Sequence, residues 1–200
     1  KVLGAQTDTM VGPTISVGVA QHHLGFSGSI TLQPTTLIAV MQDMVNSLAV
    51  HGFDHFFFLN GHGGNIATVN AAFAQIHGER SLGVANPDRP SLKLALHSWW
   101  ECKEVGAYSN KHFLGVEGHH ATPCEVSLTY FAYPDAVKNV KLDPEVAPDD
   151  SGIADSEDFR RRYPDGRIGS NPALATVAHG EALLVAGVAG AEKALLKMLA

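Results

Sequence analysis

One segment of this chain, residues 34–78, constrains the fold most strongly, because its hydrophobic pattern changes from helical to continuous and back to helical. Between residues 37 and 48, apolar side chains recur at steps of three and four, which predicts a helix with one apolar face. Residues 53–59 form a nearly continuous apolar run, which is typical of a parallel strand covered on both faces. A glycine-rich turn and a second helix, ending near Gly78, follow. This order of elements predicts an open α/β sheet.

Weaker patterns outline the rest of the chain. Residues 82–85 and 92–96 are interpreted as two further short strands. The stretch Thr122-Pro123-Cys124-Glu125 is typical of a helix start with a capping box, and Asn171 is predicted to open a long C-terminal helix. The 200 residues fit one domain, and the polar, proline-bearing stretch 134–171 is interpreted as a surface excursion within it.

Composition and charge exclude several classes of protein. Hydrophobic residues make up 45% and charged residues 17% of the chain, which excludes intrinsic disorder. A net charge of −6 and a pI near 6.0 argue against nucleic acid or an anionic membrane surface as a partner. The longest apolar stretch, residues 182–191, is about half of what a bilayer span requires. Because two cysteines cannot form a disulfide framework, the predicted location is the reducing cytoplasm.

The glycine turn at residues 60–65 reads Asn-Gly-His-Gly-Gly-Asn and follows directly on the predicted buried strand. Open α/β sheets bind ligands at the carboxyl ends of their strands, so His62 is a candidate metal ligand or catalytic base. The alternative is an anion-binding turn ahead of the next helix, as in a phosphate- or nucleotide-binding module. Such a module favours a basic side chain near the turn, whereas residues 59–76 contain no lysine or arginine.

A second candidate cluster, residues 117–125, places two imidazoles and two carboxylates in a loop that leads into a helix. His120 could transfer a proton, and Glu125 could bind a metal or orient a nucleophilic water molecule. The alternative for Glu125 is the capping box with Thr122, which needs no metal. His119 is interpreted as an exposed loop residue.

Two other features of the sequence could carry chemistry. Cys124 is interpreted as a buried structural thiol, and the alternative is a cysteine amidase that pairs it with His120. His22 and His23 form a third histidine cluster, on a predicted loop ahead of the first clear helix.

Four ordered stretches together resemble the creatininase (creatinine amidohydrolase) family. The most specific is residues 52–65, with a Gly-Phe pair, an apolar strand and the glycine turn. Residues 18–29 are similar to the family's G-x-S-x-E-H-x-x-F-P-G-T segment, and residues 120–127 to its H-A-G-x-x-E-T-S motif. Residues 166–180 follow its closing G-x-x-G-x-P-x-x-A-T pattern, so the resemblance covers nearly the whole chain.

This resemblance implies a three-layer αβα sandwich on a mostly parallel sheet, assembled as a homo-oligomer. It implies a hydrolase of C–N bonds other than peptide bonds, acting on a small cyclic or linear amide. It also implies a divalent metal centre of two ions per site (zinc, manganese or iron) that activates water. By motif match, the implied site residues are the metal ligands His62 and Glu125, the catalytic residues His120 and Glu117, and the substrate-binding residues Gly63, Gly64 and His23.

Departures from the family pattern argue against creatinine as the substrate. Gly64 stands where creatininase proper carries a carboxylate ligand, and Ala20 stands where the family has a serine. An aromatic residue that closes over creatinine is replaced by Val116 or Gly63. These differences favour another amide, or a formamide.

A further departure concerns the start of the chain. The family's Glu-x-His…Asp ligand segment follows its first strand and has no counterpart ahead of residue 18; Asp8 is not expected to replace it. The expectation is a longer parent chain whose first segment lies upstream of Lys1. The alternative is a catalytically silent oligomeric homologue.

Overall fold

A computed structural model describes residues 1–85, 87–150 and 152–200, and the chain divides into two units. The first unit comprises Lys1–Gln21, Ile30–Trp99 and Ala191–Ala200, and the second comprises His22–Ser29 and Trp100–Gly190. The predicted single domain, with residues 134–171 as an excursion, stays a prediction. In chain order, the helices and strands are α1 (Val2–Thr7), α2 (Pro34–Ala49), β1 (His55–Asn60), α3 (Ile66–Ser81), β2 (Lys93–Ser98), α4 (Lys103–His112), α5 (Pro123–Ala132), α6 (Ser156–Arg162) and α7 (Val177–Leu199).

The first unit contains a parallel pair of strands. β1 and β2 run in register from the pair His55 and Lys93 to the pair Asn60 and Ser98. Parallel neighbours need a long crossover connection, and α3 provides it here. The predicted α/β class with parallel strand pairing is therefore confirmed, and the carboxyl ends of both strands lie at one edge of the sheet.

The core of the first unit forms where α2 packs against α3. The fully buried residues of α2 recur every fourth position, as the sequence pattern predicted, so one stripe of the helix faces α3. Half-buried phenylalanines of β1 pack against the same apolar groups, which anchors the strand that leads into the glycine turn. The buried side chains of α2 and α3 in this core are Leu37, Met41, Val45, Ala49, Val69, Ala72 and Ile76.

Two predictions at the end of α3 are wrong. The helix does not stop at Gly78 but continues to Ser81, and the chain turns at Gly83 with φ +70°. The stretch 82–85 is not a strand, because the N–H groups of Val84 and Ala85 bond back to the same helical carbonyl at 2.8 and 3.0 Å. The apolar side chains of this stretch are largely exposed, so burial does not favour an extended conformation there.

The second unit is organised around a buried aromatic group on α6. Phe159 and Tyr163 are fully buried and pack with Ile168 and the half-buried Phe26. The predicted C-terminal helix starts later than Asn171, because that side chain caps a short 3-10 turn, Pro172–Leu174, ahead of α7. Within the part of the chain that the structure describes, no helix combines the length and the apolar character needed to cross a bilayer.

Candidate active site

The glycine turn begins where β1 ends and is held by the asparagines at both of its ends. The buried Asn60 side chain accepts from the His62 N–H (3.1 Å) and donates to the His62 carbonyl (2.9 Å). The Asn65 amide donates to the Asn60 side-chain oxygen (3.2 Å), and the Asn65 oxygen accepts from the Val19 N–H (2.8 Å). These bonds hold His62 in an extended conformation at the strand end where open sheets bind ligands.

Only one of the two glycines after His62 is required by close packing. A Cβ atom on Gly64 would lie 2.5 Å from Nε2 of His62 and 2.7 Å from the Val19 carbonyl oxygen, whereas a Cβ atom on Gly63 would meet nothing within 4 Å. The Nε2 atom of His62 is itself shielded from solvent. A carboxylate at position 64, as in creatininase proper, therefore does not fit this arrangement of the imidazole. The predicted substrate contacts of both glycines stay predictions.

The loop ahead of α5 is fixed by hydrogen bonds to another segment of the second unit. The His119 N–H donates to the Ile168 carbonyl (2.8 Å), and the His120 carbonyl accepts from the Ile168 N–H (3.3 Å) and the Ser170 hydroxyl (2.7 Å). Gly118 has φ +65°, and a side chain there would collide with the Ile168 carbonyl. The loop backbone is therefore fixed at Gly118 and in the two residues that follow it. The His119 side chain is 74% exposed, which confirms its interpretation as an exposed loop residue.

Three imidazoles of the second unit form a cluster, which we call the imidazole cluster: His22, His23 and His120. The His23 ring stacks on the His120 ring with centroids 4.4 Å apart and planes at 30°. The His22 ring meets the His23 ring edge-on at 4.0 Å. All three rings lie against the Phe159 ring. The distances between ring centroids are 5.6 Å for His22, 5.1 Å for His23 and 6.0 Å for His120. The structure thus brings the predicted catalytic His120 and the predicted substrate-binding His23 together.

Glu117 lies beside Cys124, which is buried at the start of α5. The negatively charged Glu117 carboxylate is near enough to the thiol to act on it. Burial and this negative charge raise the pKa of the Cys124 thiol well above its ordinary value, despite an opposing hydrogen bond with Ser109. A thiol held in its protonated form is a poor nucleophile, which argues against the cysteine amidase. The Oε2 atom of Glu117 is buried and has no hydrogen-bond donor among the described residues.

Glu125 takes part in the predicted capping box. Its N–H donates to the Thr122 hydroxyl (3.1 Å), and its Oε2 atom accepts from the Thr122 N–H (3.0 Å). The structural interpretation of Glu125 is therefore confirmed. Because the box occupies only Oε2, the role of Glu125 as a metal ligand stays a prediction.

Sequence reasoning missed a second group of rings in the same unit. The Tyr108 hydroxyl and Nδ1 of His179 are 2.8 Å apart, and the His112 ring lies 4.4 Å from the Tyr108 ring and 5.1 Å from the His179 ring. Burial and the positive charge of a protonated His112 lower the pKa of His179. No local pattern signals this group, because its members come from α4 and α7.

A cavity of about 390 Å³ in the first unit contains none of the predicted site residues. It is lined in part by Arg89, whose guanidinium pairs with Glu79 at 3.3 Å and donates to the Ile76 carbonyl at 3.1 Å. Because the charges of Arg89 and Glu79 are already paired with each other, we interpret this cavity as a gap beside a structural ion pair.

Comparison with known proteins identifies the family. The family profile described as creatinine amidohydrolase matches residues 1–195. The mycofactocin precursor peptide peptidase of Mycobacterium ulcerans (strain Agy99) is 30% identical over 74 residues, which are 37% of this chain and 29% of the length of that protein. Two solved structures, a creatininase with Mn (24% identical, TM-score 0.76) and a mutant creatininase of the Zn-Zn type (23%, TM-score 0.72), each cover 98% of this chain and 78% of their own.

These findings agree on the fold and on the family. The solved structures confirm the predicted creatininase-like α/β fold over 98% of the chain. The family profile covers almost all of the sequence, so this protein belongs to the creatinine amidohydrolase (creatininase) family, whose members are hydrolases that act on amide bonds.

Proposed function

We propose that this protein is a metal-dependent amidohydrolase that uses metal-activated water to hydrolyse a small cyclic or linear amide other than creatinine. Family membership supports the class of reaction. The observation that carries the proposal for this chain is the fixed loop of residues 117–120. In this loop, the buried Oε2 atom of Glu117 has no hydrogen-bond donor among the described residues. Three residues later, the His120 imidazole packs against other imidazoles. Such a loop offers one group to bind an amide N–H and one to move a proton.

The residues proposed to hold the metal fit a divalent ion. His62 offers an imidazole nitrogen beside a position that must lack a side chain, and Glu125 offers the carboxylate oxygen that the capping box leaves unused. Imidazole and carboxylate are ligand types of zinc, manganese and iron. A bound ion of this kind polarises the amide carbonyl and lowers the pKa of a coordinated water molecule.

His120 is proposed to deliver a proton to the leaving nitrogen. An imidazole changes its protonation state near neutral pH, so it can accept a proton from water and pass it on in one catalytic cycle. The stacking on His23 and the contact with Phe159 fix the plane of its ring. Because its backbone carbonyl is hydrogen bonded to Ile168 and Ser170, the ring is held on a rigid loop.

Glu117 is proposed to bind the amide substrate. Its buried Oε2 atom can accept a hydrogen bond from an N–H group of the substrate, which satisfies an acceptor that would otherwise cost about 1–3 kcal/mol. The backbone of Gly63 and Gly64 and the edge of His23 are proposed as further substrate contacts. We also propose that the protein binds neither nucleic acid nor a membrane and that it is a cytoplasmic homo-oligomer.

Turnover and metal content of the purified chain test this function with a matched pair of histidines. We expect His120→Ala to lower turnover by about 10²–10⁴-fold and to leave the metal content unchanged, since the residue moves a proton. His119→Ala, its exposed neighbour, should retain turnover within about twofold, and His62→Ala should lower the amount of bound metal. Metal retained in full by His62→Ala contradicts the ligand role of that residue.

The substrate is tested with a panel of amides, using release of ammonia or amine as the measurement. The panel contains creatinine, other cyclic amides, formamides and short peptides. The peptides are included because the relative from Mycobacterium ulcerans is a peptidase by name. We expect a cyclic amide or a formamide to be hydrolysed faster than creatinine or a peptide. A metal-loaded protein that hydrolyses no member would support the catalytically silent homologue instead.

A further inference from the structure

We propose that His22 and His23 bind metal, with both imidazoles ligating one divalent transition-metal ion such as Zn²⁺. This inference deepens the proposed function, on which it rests, because it assigns metal ligation to two side chains for which the motif match implies no ligand role. It starts from the imidazole cluster, in which the two rings are neighbours in sequence and in space.

The spacing of the ring nitrogens suits a shared ion. A nitrogen of His22 and a nitrogen of His23 lie within 4.8 Å of each other. Two imidazoles on one zinc ion, each about 2.0–2.1 Å from it, place their nitrogens roughly 3–4 Å apart. The rings meet edge-on, at 62°, rather than face to face. The upper limit of 4.8 Å therefore includes the spacing that a shared ion needs.

The backbone around the pair is arranged before any ion binds. Both histidines lie in a 3-10 turn, Gln21–His23, and the His23 carbonyl accepts from the Phe26 N–H at 3.0 Å. Gly25 approaches α6 so closely that a Cβ atom there would lie 3.0 Å from the Ser156 carbonyl oxygen. The turn is thus packed against α6, which limits the entropy that metal binding would cost.

The surroundings of the pair also resemble those of protein metal sites. Phe159 is fully buried and contacts both rings, which provides an apolar wall that limits access of water. Both histidines are half-buried, so one side of the pair is still accessible to an ion. Two imidazoles fill part of a coordination sphere, and its remaining positions can take water, a substrate atom or another donor.

The test is Zn²⁺ binding to the chelator-treated protein, measured by isothermal titration calorimetry. We expect His22→Ala and His23→Ala each to weaken Zn²⁺ binding by at least about tenfold. The Co²⁺-loaded protein gives an independent signature, since loss of an imidazole ligand changes its visible absorption. His22→Asn and His23→Gln keep a polar side chain and should show the same losses if an alanine variant fails to fold.

His112→Ala is the matched control, because His112 belongs to another pair of imidazoles in the same unit, with ring centroids 5.1 Å apart. It should bind Zn²⁺ as the parent protein does, and equal weakening in all three variants would overturn the inference by showing unspecific binding. Unchanged affinity and spectra in His22→Ala and His23→Ala, with metal lost in His62→Ala, would overturn this inference and leave the proposed function standing. A parent protein that binds no metal would overturn both.

Discussion

At the scale of single residues, close packing at position 64 limits which side chains the glycine turn can accommodate. We predict that Gly64→Ala displaces the His62 ring, because the added Cβ atom would lie 2.5 Å from its Nε2 atom and 2.7 Å from a backbone oxygen. Overpacking of this kind costs about 1–3 kcal/mol and should also lower metal affinity. The measurements are the free energy of unfolding in urea and Zn²⁺ titration.

Gly63→Ala is the control for this prediction, since a Cβ atom at position 63 meets nothing within 4 Å. It should unfold at nearly the same urea concentration as the parent protein and bind metal equally well. If both alanine variants behave alike, the close approach of Gly64 to His62 has no consequence for the site.

At the scale of elements, the start of α5 combines a helix cap with a proposed metal ligand, and one substitution separates the two roles. Glutamine at the third helical position can still complete a capping box, so Glu125→Gln should keep the helix start but lose the carboxylate charge. We predict a loss of metal affinity of about tenfold or more, with little change in stability. Thr122→Ala, the control, should cost about 1 kcal/mol of stability while it keeps the carboxylate. Parent-like metal binding by Glu125→Gln would limit Glu125 to capping.

Elements set by local patterns were predictable from the sequence, and contacts between distant residues were not. The spacing of apolar residues predicted α2, and the order Thr122-Pro123-Cys124-Glu125 predicted a capping box that the structure confirms. The stretch 82–85 was apolar enough for a strand, yet its backbone donors return to α3. The pair Tyr108 and His179 lies 71 residues apart in the chain, so only tertiary packing reveals it.

At the scale of the whole molecule, we expect the fold and the choice of substrate to depend on different parts of the chain. The profile and the fold match extend over nearly the whole chain, whereas we propose that the substrate depends on a few loop positions that differ from creatininase proper. The same fold can therefore be retained while Gly64 and Ala20 change the chemistry that it presents.

The free energy of unfolding of the whole molecule should depend on the protonation of His179. Burial, together with the neighbouring His112, lowers the pKa of His179 in the folded protein. As the pH falls below about 6.5, His179 therefore becomes protonated in the unfolded chain before it becomes protonated in the folded protein. The stabilisation is complete above that pH and is lost as the pH falls from there towards the lower folded pKa. His179→Gln should show a smaller loss of stability between pH 7.5 and pH 5.5 than the parent protein, in urea unfolding.

The exposed His119 supplies the control for this pH dependence. Its side chain is 74% exposed, whereas that of His179 is partly buried. His119→Gln should therefore leave the loss of stability below pH 6.5 in place. The free energy of unfolding could instead depend on pH equally in the parent protein and in His179→Gln. That result would show that the contact of His179 with Tyr108 survives protonation, and that acid sensitivity originates elsewhere in the chain.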